Sequence, residues 1–119
     1  MAMTYTFEIE KVPVSVIELP TFTRTVGGIW SEEELADFTD YIALNPEAGA
    51  IIPGTGGHRK VRWATQGQGK RGGARVVYFF MVRDSPIYLT AIYTKGEKDN
   101  ITPAERNELR AIAAAMKRK

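Results

Sequence analysis

The chain has 119 residues, 44% of them hydrophobic and 25% charged, with a formal net charge of +2 and no cysteine. That length suits one compact domain, 1–119, and the missing cysteines exclude disulfides, thiolate metal sites and a cysteine nucleophile. The opening residues hold neither a basic stretch nor a long apolar one, and no apolar run approaches the about 20 residues of a membrane helix, so a cytoplasmic protein without signal peptide or membrane association is expected.

Val12–Glu18 alternates with valines at 12, 14 and 16, which predicts a first strand, with Pro13 at its start or on an edge. A short helix over Thr21–Val26, stopped by Gly27-Gly28, comes next. Ser31–Leu44 carries the signature of a capped helix. Ser31 is the N-cap, Glu34 closes the capping box, and acids crowd the positive end of the dipole. Leu35, Phe38, Ile42 and Tyr41 make its apolar face. Asn45-Pro46 ends it, because the residue before proline avoids the helical region.

Ala48–Thr55 reads as a connection closing on Gly54-Thr55-Gly56-Gly57. Three strands should follow, over His58–Ala64, Ala74–Arg83 and Ile87–Thr94, joined by the glycine-rich loop Gln66–Gly73 and the turn Asp84-Ser85-Pro86. Thr102, Pro103 and Glu105 cap a final helix with Leu109, Ile112, Ala113 and Met116 along its inner stripe. The order predicts an α+β fold: a small, mostly antiparallel sheet with a three-strand meander, helices packed on one face, and the other face partly open.

Charge is unevenly spread. Residues 1–47 hold nine acids and two bases, and residues 48–119 hold five acids and fourteen bases. No acid lies between Glu47 and Asp84, while Arg59, Lys60, Arg62, Lys70, Arg71, Arg75 and Arg83 all do. Such asymmetry marks a polyanion-binding face, although a solvated basic surface would look the same. Strand alternation gives the pattern a direction. Val61 and Trp63 should face the core with Arg59, leaving Lys60 and Arg62 on the open face with His58.

Several chemistries are disfavoured. The glycine loop matches neither phosphate-cradling motif of nucleotide-binding proteins. His58 is the single histidine, so a two-histidine ribonuclease pair is impossible. The basic segment has no carboxylate cluster for a metal pair, and no metal or other cofactor is expected. A basic-only site remains able to cleave RNA, because the 2′-hydroxyl is an internal nucleophile beside the phosphate. Arg75 would stabilise the transition-state charge, and crowding among cations would let Lys60 or Lys70 act as a base. Tyr78, Tyr88 and Tyr93 are candidates for stacking on a base, Tyr93 foremost because it lies close to Lys95.

The runs Leu44-Asn45-Pro46, Gly54-Thr55-Gly56-Gly57-His58-Arg59-Lys60-Val61-Arg62, and Gly67-Gln68-Gly69-Lys70-Arg71-Gly72-Gly73-Ala74-Arg75-Val76-Val77-Tyr78 resemble the RelE/HigB superfamily of bacterial toxins, most closely its HigB-like branch. The likeness runs on through Ile92-Tyr93-Thr94-Lys95. The resemblance implies the RelE-like microbial RNase fold and a type II toxin with a cognate antitoxin. Such a toxin enters the ribosomal A site and cleaves messenger RNA without metal. Carried over by position, it implies Lys60, Arg62, Lys70, Arg75, Tyr93 and Lys95 as catalytic and Arg71 as RNA-binding; Arg59 and His58, in the same basic run but without a matched family position, are expected to bind RNA as well. Some relatives place an arginine after the last strand, where this chain has Lys95-Gly96-Glu97. Two other readings stay open at this point: a gyrase-directed toxin of the ParE kind, and a non-enzymatic nucleic-acid-binding module.

Overall fold

The computed structural model describes residues 12–64, 73–81, 85–98 and 100–118. The elements run β1 (Val16–Glu18), α1 (Pro20–Val26), α2 (Glu32–Leu44), β2 (Ala50–Ile51), β3 (Arg59–Trp63), β4 (Ala74–Phe79), β5 (Ile87–Thr94) and α3 (Pro103–Lys117). The strands form one sheet in the order β1-β5-β4-β3-β2. β3, β4 and β5 make the expected antiparallel meander, and β1 joins β5 in parallel.

Both long helices begin as their capping residues dictate. The Ser31 hydroxyl accepts the Glu34 N–H while the Glu34 carboxylate accepts the Ser31 N–H, and Thr102 and Glu105 repeat the arrangement on α3. Each box satisfies two donors that a helix start leaves orphaned. Glu32, Glu33 and Glu34 occupy the first turn of α2, where the macrodipole favours negative charge.

The helices cover both faces of the sheet, not one as the pattern suggested. On one face Phe22, Val26, Trp30, Phe38 and Ile42 of the α1–α2 region pack against Val76, Tyr78, Leu89 and Ile92. On the other, Leu109 of α3 packs against Ile52, Val77 and Tyr93. The reason lies in β4, whose six residues are all buried: a central strand apolar on both sides needs a layer on each. α3 covers only part of its face.

Three smaller departures have local causes. β1 is shorter than the valine alternation implied, and the Val14 N–H bonds instead to the Ala43 carbonyl at the end of α2. β2 went unseen because two residues carry no period. β4 ends at Phe79 where a strand to Arg83 was expected, and residues 82 and 83 of that stretch lie outside the described residues.

The turn between α2 and β2 is fixed by Tyr78. Its hydroxyl donates to the Pro46 carbonyl at 2.9 Å and accepts the Gly49 N–H at 2.8 Å. Burial pushes the pKa of this hydroxyl up, so it stays protonated and able to donate. Gly49 has no room for a side chain. An added Cβ would stand 2.9 Å from the Lys60 carbonyl oxygen and 3.0 Å from the Tyr78 ring. Gly49→Ala should therefore destabilise the fold by about 1–3 kcal/mol, the usual cost of overpacking, read as a lower urea midpoint.

Candidate nucleic-acid interface

β3 alternates as its sequence requires. Val61 and Trp63 turn toward the α1–α2 core, and Trp63 meets Phe38 edge-on at 5.4 Å between ring centroids. Lys60 and Arg62 consequently point to the opposite face. The register then sets their neighbours. Lys60 pairs with Val77, Arg62 with Arg75, and Arg75 in turn with Tyr93. Arg62 and Arg75 thus stand directly opposite each other on one face, a placement that is destabilising unless an anion lies between them.

Lys60, Arg62, Arg75, Lys95 and Asn100 line an open cleft of ≈ 370 Å³ beside α3. No carboxylate is among its described lining residues. Arg75 is only 7% exposed, and its guanidinium donates to the Gly73 carbonyl at 2.6 Å. The two described carboxylates nearest in sequence, Glu97 and Glu105, are engaged elsewhere. Glu97 accepts the Thr94 N–H and hydroxyl, and Glu105 pairs with Lys98. The Lys98 ammonium, hydrogen-bonded to Glu105, holds that carboxyl below its usual pKa. Lys98–Glu105 is the one ion pair among the described residues, so the four cleft cations are not neutralised by any described acid.

The structure therefore brings together Lys60, Arg62, Arg75 and Lys95, four of the residues singled out from the sequence. Lys70 and Arg71 lie outside the described residues. Tyr93 is not placed to stack on a base. It is 3% exposed, packed with Ile52, Val77 and Leu109, and its ring lies under the Lys98 ammonium at 4.7 Å. Tyr78 is buried in the other core, and Tyr88 stacks on Phe79. Arg59 turns away from the cleft. Its guanidinium donates to the Gly49 carbonyl at 2.9 Å and sits over the Phe80 ring.

His58 also departs from its expected role, because it is completely buried and cannot touch RNA. One ring nitrogen lies 2.9 Å from the Thr55 carbonyl, which only accepts, so Nδ1 carries the hydrogen. Nε2 then accepts from the Thr90 hydroxyl at 3.1 Å. The neutral imidazole joins the glycine turn to β5, and burial lowers its pKa from 6.5. That turn is clamped from the other side by α3: Gly56 adopts φ 73°, where an added Cβ would lie 2.8 Å from that of Ala113, and its carbonyl accepts from Lys117.

Asn100 was missed by the sequence reading. It follows the turn after β5, and no spacing or periodicity marks a residue whose position depends on how that turn leads into α3.

The family model described as the RelE toxin of the RelE/RelB toxin-antitoxin system matches residues 43–119, which include every residue of the cleft. The chain belongs to the RelE toxin family. Among solved structures, a mutant form of the E. coli toxin RelE in the free state aligns over 88% of this chain and 98% of its own, with 15% identity and a TM-score of 0.53. At that identity the likeness concerns the fold, and its coverage extends the RelE architecture beyond the segment matched by the family model.

Two measurements check this description. If the cleft cations repel one another, sulfate should stabilise the protein more than chloride at matched ionic strength. At ten times its dissociation constant, sulfate should add about 1.4 kcal/mol, roughly 6 °C in Tm, and the gain should shrink in Arg75→Met. The second concerns His58. Its folded pKa is depressed, so below about 6.5 the unfolded chain binds a proton that the folded chain resists, and stability must fall as pH drops through that value. Urea denaturation should accordingly show a steeper acid-side loss for the wild type than for His58→Gln.

Proposed function

We propose that this RelE-family toxin is a metal-independent endoribonuclease that cuts translated messenger RNA in the ribosomal A site, in the cytoplasm, and is held in check by a cognate antitoxin. The observation that carries this reading is the convergence of four cations, from β3, β4 and the turn after β5, on one cleft with no carboxylate among its described lining residues. RNA supplies a phosphate to fill the cleft and a 2′-hydroxyl to attack it. The Gly54–Arg62 run and Leu44-Asn45-Pro46 support a place in the HigB-like branch.

The side chains divide by chemistry. A guanidinium is always charged, so Arg62 and Arg75 serve as fixed positive charge and fork-shaped donors for the phosphate oxygens. The two lysines can exchange a proton, so Lys60 and Lys95 are the groups for acid–base work. The 2′-oxygen forms a bond to phosphorus as its proton passes to a base. The bond to the 5′-oxygen then breaks, and that oxygen takes up a proton. The phosphorus carries extra negative charge midway, and the cleft cations stabilise it more strongly than the ground state. Lys70 and Arg71, on the glycine loop, would add contacts to the RNA backbone.

The test is mapping of new messenger RNA ends in a translating extract, with and without ribosomes. Wild-type protein should create ends only in translated messages. Arg62→Ala and Arg75→Met should each slow cutting by about 10²–10³-fold, the usual cost of one charge-stabilising donor, while Arg24→Ala on α1 should cut at the wild-type rate. Absence of new ends in either extract would sink the nuclease reading. Loss of gyrase activity without loss of message would favour a gyrase-directed toxin in its place.

A further inference from the structure

The four cleft cations are blind to base identity on one side of the hydrogen bond. Ammonium and guanidinium groups carry donors only, with no acceptor lone pair. Asn100 lines the same cleft and differs from them all. Its amide offers both an acceptor oxygen and an NH₂ donor, and it is the one uncharged side chain and the one side-chain acceptor among the described lining residues. It is exposed at the rim and makes no hydrogen bond with any other described residue. Its backbone is nevertheless anchored. The next residue, Ile101, packs on the core of Val77, Tyr93 and Leu109, and Thr102 caps α3 one residue further on. The amide is therefore presented from a fixed point, with its hydrogen-bonding capacity unspent.

An unpaired base exposes edges that carry both donors and acceptors. A side-chain amide matches adenine in two places at once. The exocyclic N6–H donates to the amide oxygen, and a ring nitrogen accepts from the amide NH₂. The acceptor-rich edge of guanine, by contrast, suits the cations already present. We infer that Asn100 is the specificity-determining residue of the cleft, reading the base beside the phosphate held by the cations and favouring adenine there. This rests on the proposal that the cleft receives RNA.

Two arms separate the inference from that proposal. In the first, the full-length toxin and Asn100→Leu are added to a translating extract and the bases flanking each new end are counted. In the second, both proteins are titrated with short oligoribonucleotides that differ only in adenine or uracil at one position and are 2′-O-methylated to prevent cutting. The wild type should favour adenine by on the order of tenfold in both arms, Asn100→Leu should lose that preference, and Asn100→Gln should recover part of it. An unchanged thermal midpoint for Asn100→Leu would establish that the exposed substitution leaves the fold intact. Retention of the wild-type base preference by Asn100→Leu overturns the inference, as does a wild type with no preference in either arm. A wild type that fails to cut, yet binds with an adenine preference that Asn100→Leu abolishes, overturns the nuclease reading and leaves the assignment of Asn100 standing.

Discussion

A nearly buried arginine facing another arginine is the constraint around which this molecule is organised. Arg75 sits in the central strand, 7% exposed, with Arg62 opposite it and no described carboxylate beside it. Cations on a loop would splay apart under that repulsion. Cations on β3 and β4 cannot, because the sheet ladder and a core on each side of β4 fix their backbone. The burial of Val76 and Tyr78 on one face and Val77 on the other offsets the cost of holding the charges together.

α3 completes this arrangement by covering one part of the face and leaving another open. Its start is set by the Thr102–Glu105 box and by Lys98, which bridges Glu105 and the Tyr93 ring. Its far end clamps the glycine turn through Ala113 and Lys117, and His58 ties the same turn to Thr90. The turn leads directly into β3, so the helix, the imidazole and the placement of Lys60 are mechanically connected.

Much of this was legible in the residues. Capping boxes at Ser31 and Thr102 located the long helices, because they are local hydrogen-bond devices written within four positions. The alternation of Lys60 and Arg62 with Val61 and Trp63 gave the cleft face, because a strand has a strict period of two. What failed depends on distant contacts. Tyr93 looked available for stacking from its nearness to Lys95, yet α3 buries it with a residue sixteen positions away, Leu109. His58 read as part of the basic run, yet its ring is claimed by Thr90 across the sheet. The second covered face was implied by the uninterrupted apolar run Val76–Phe79, which alternation alone does not explain.

The acids of α2 acquire a meaning once the two faces are told apart. Glu32, Glu33 and Glu34 begin a helix packed on the side of the sheet away from the cleft. The protein therefore has an acidic back and a cationic front while its net charge stays near neutral. A strongly anionic assembly repels the first and draws the second at separations of about a Debye length, roughly 8–10 Å, before any surfaces meet. On the proposed reading such a charge layout would turn the molecule before contact and shorten the rotational search that slows protein docking, through a helix set on the face away from the cleft.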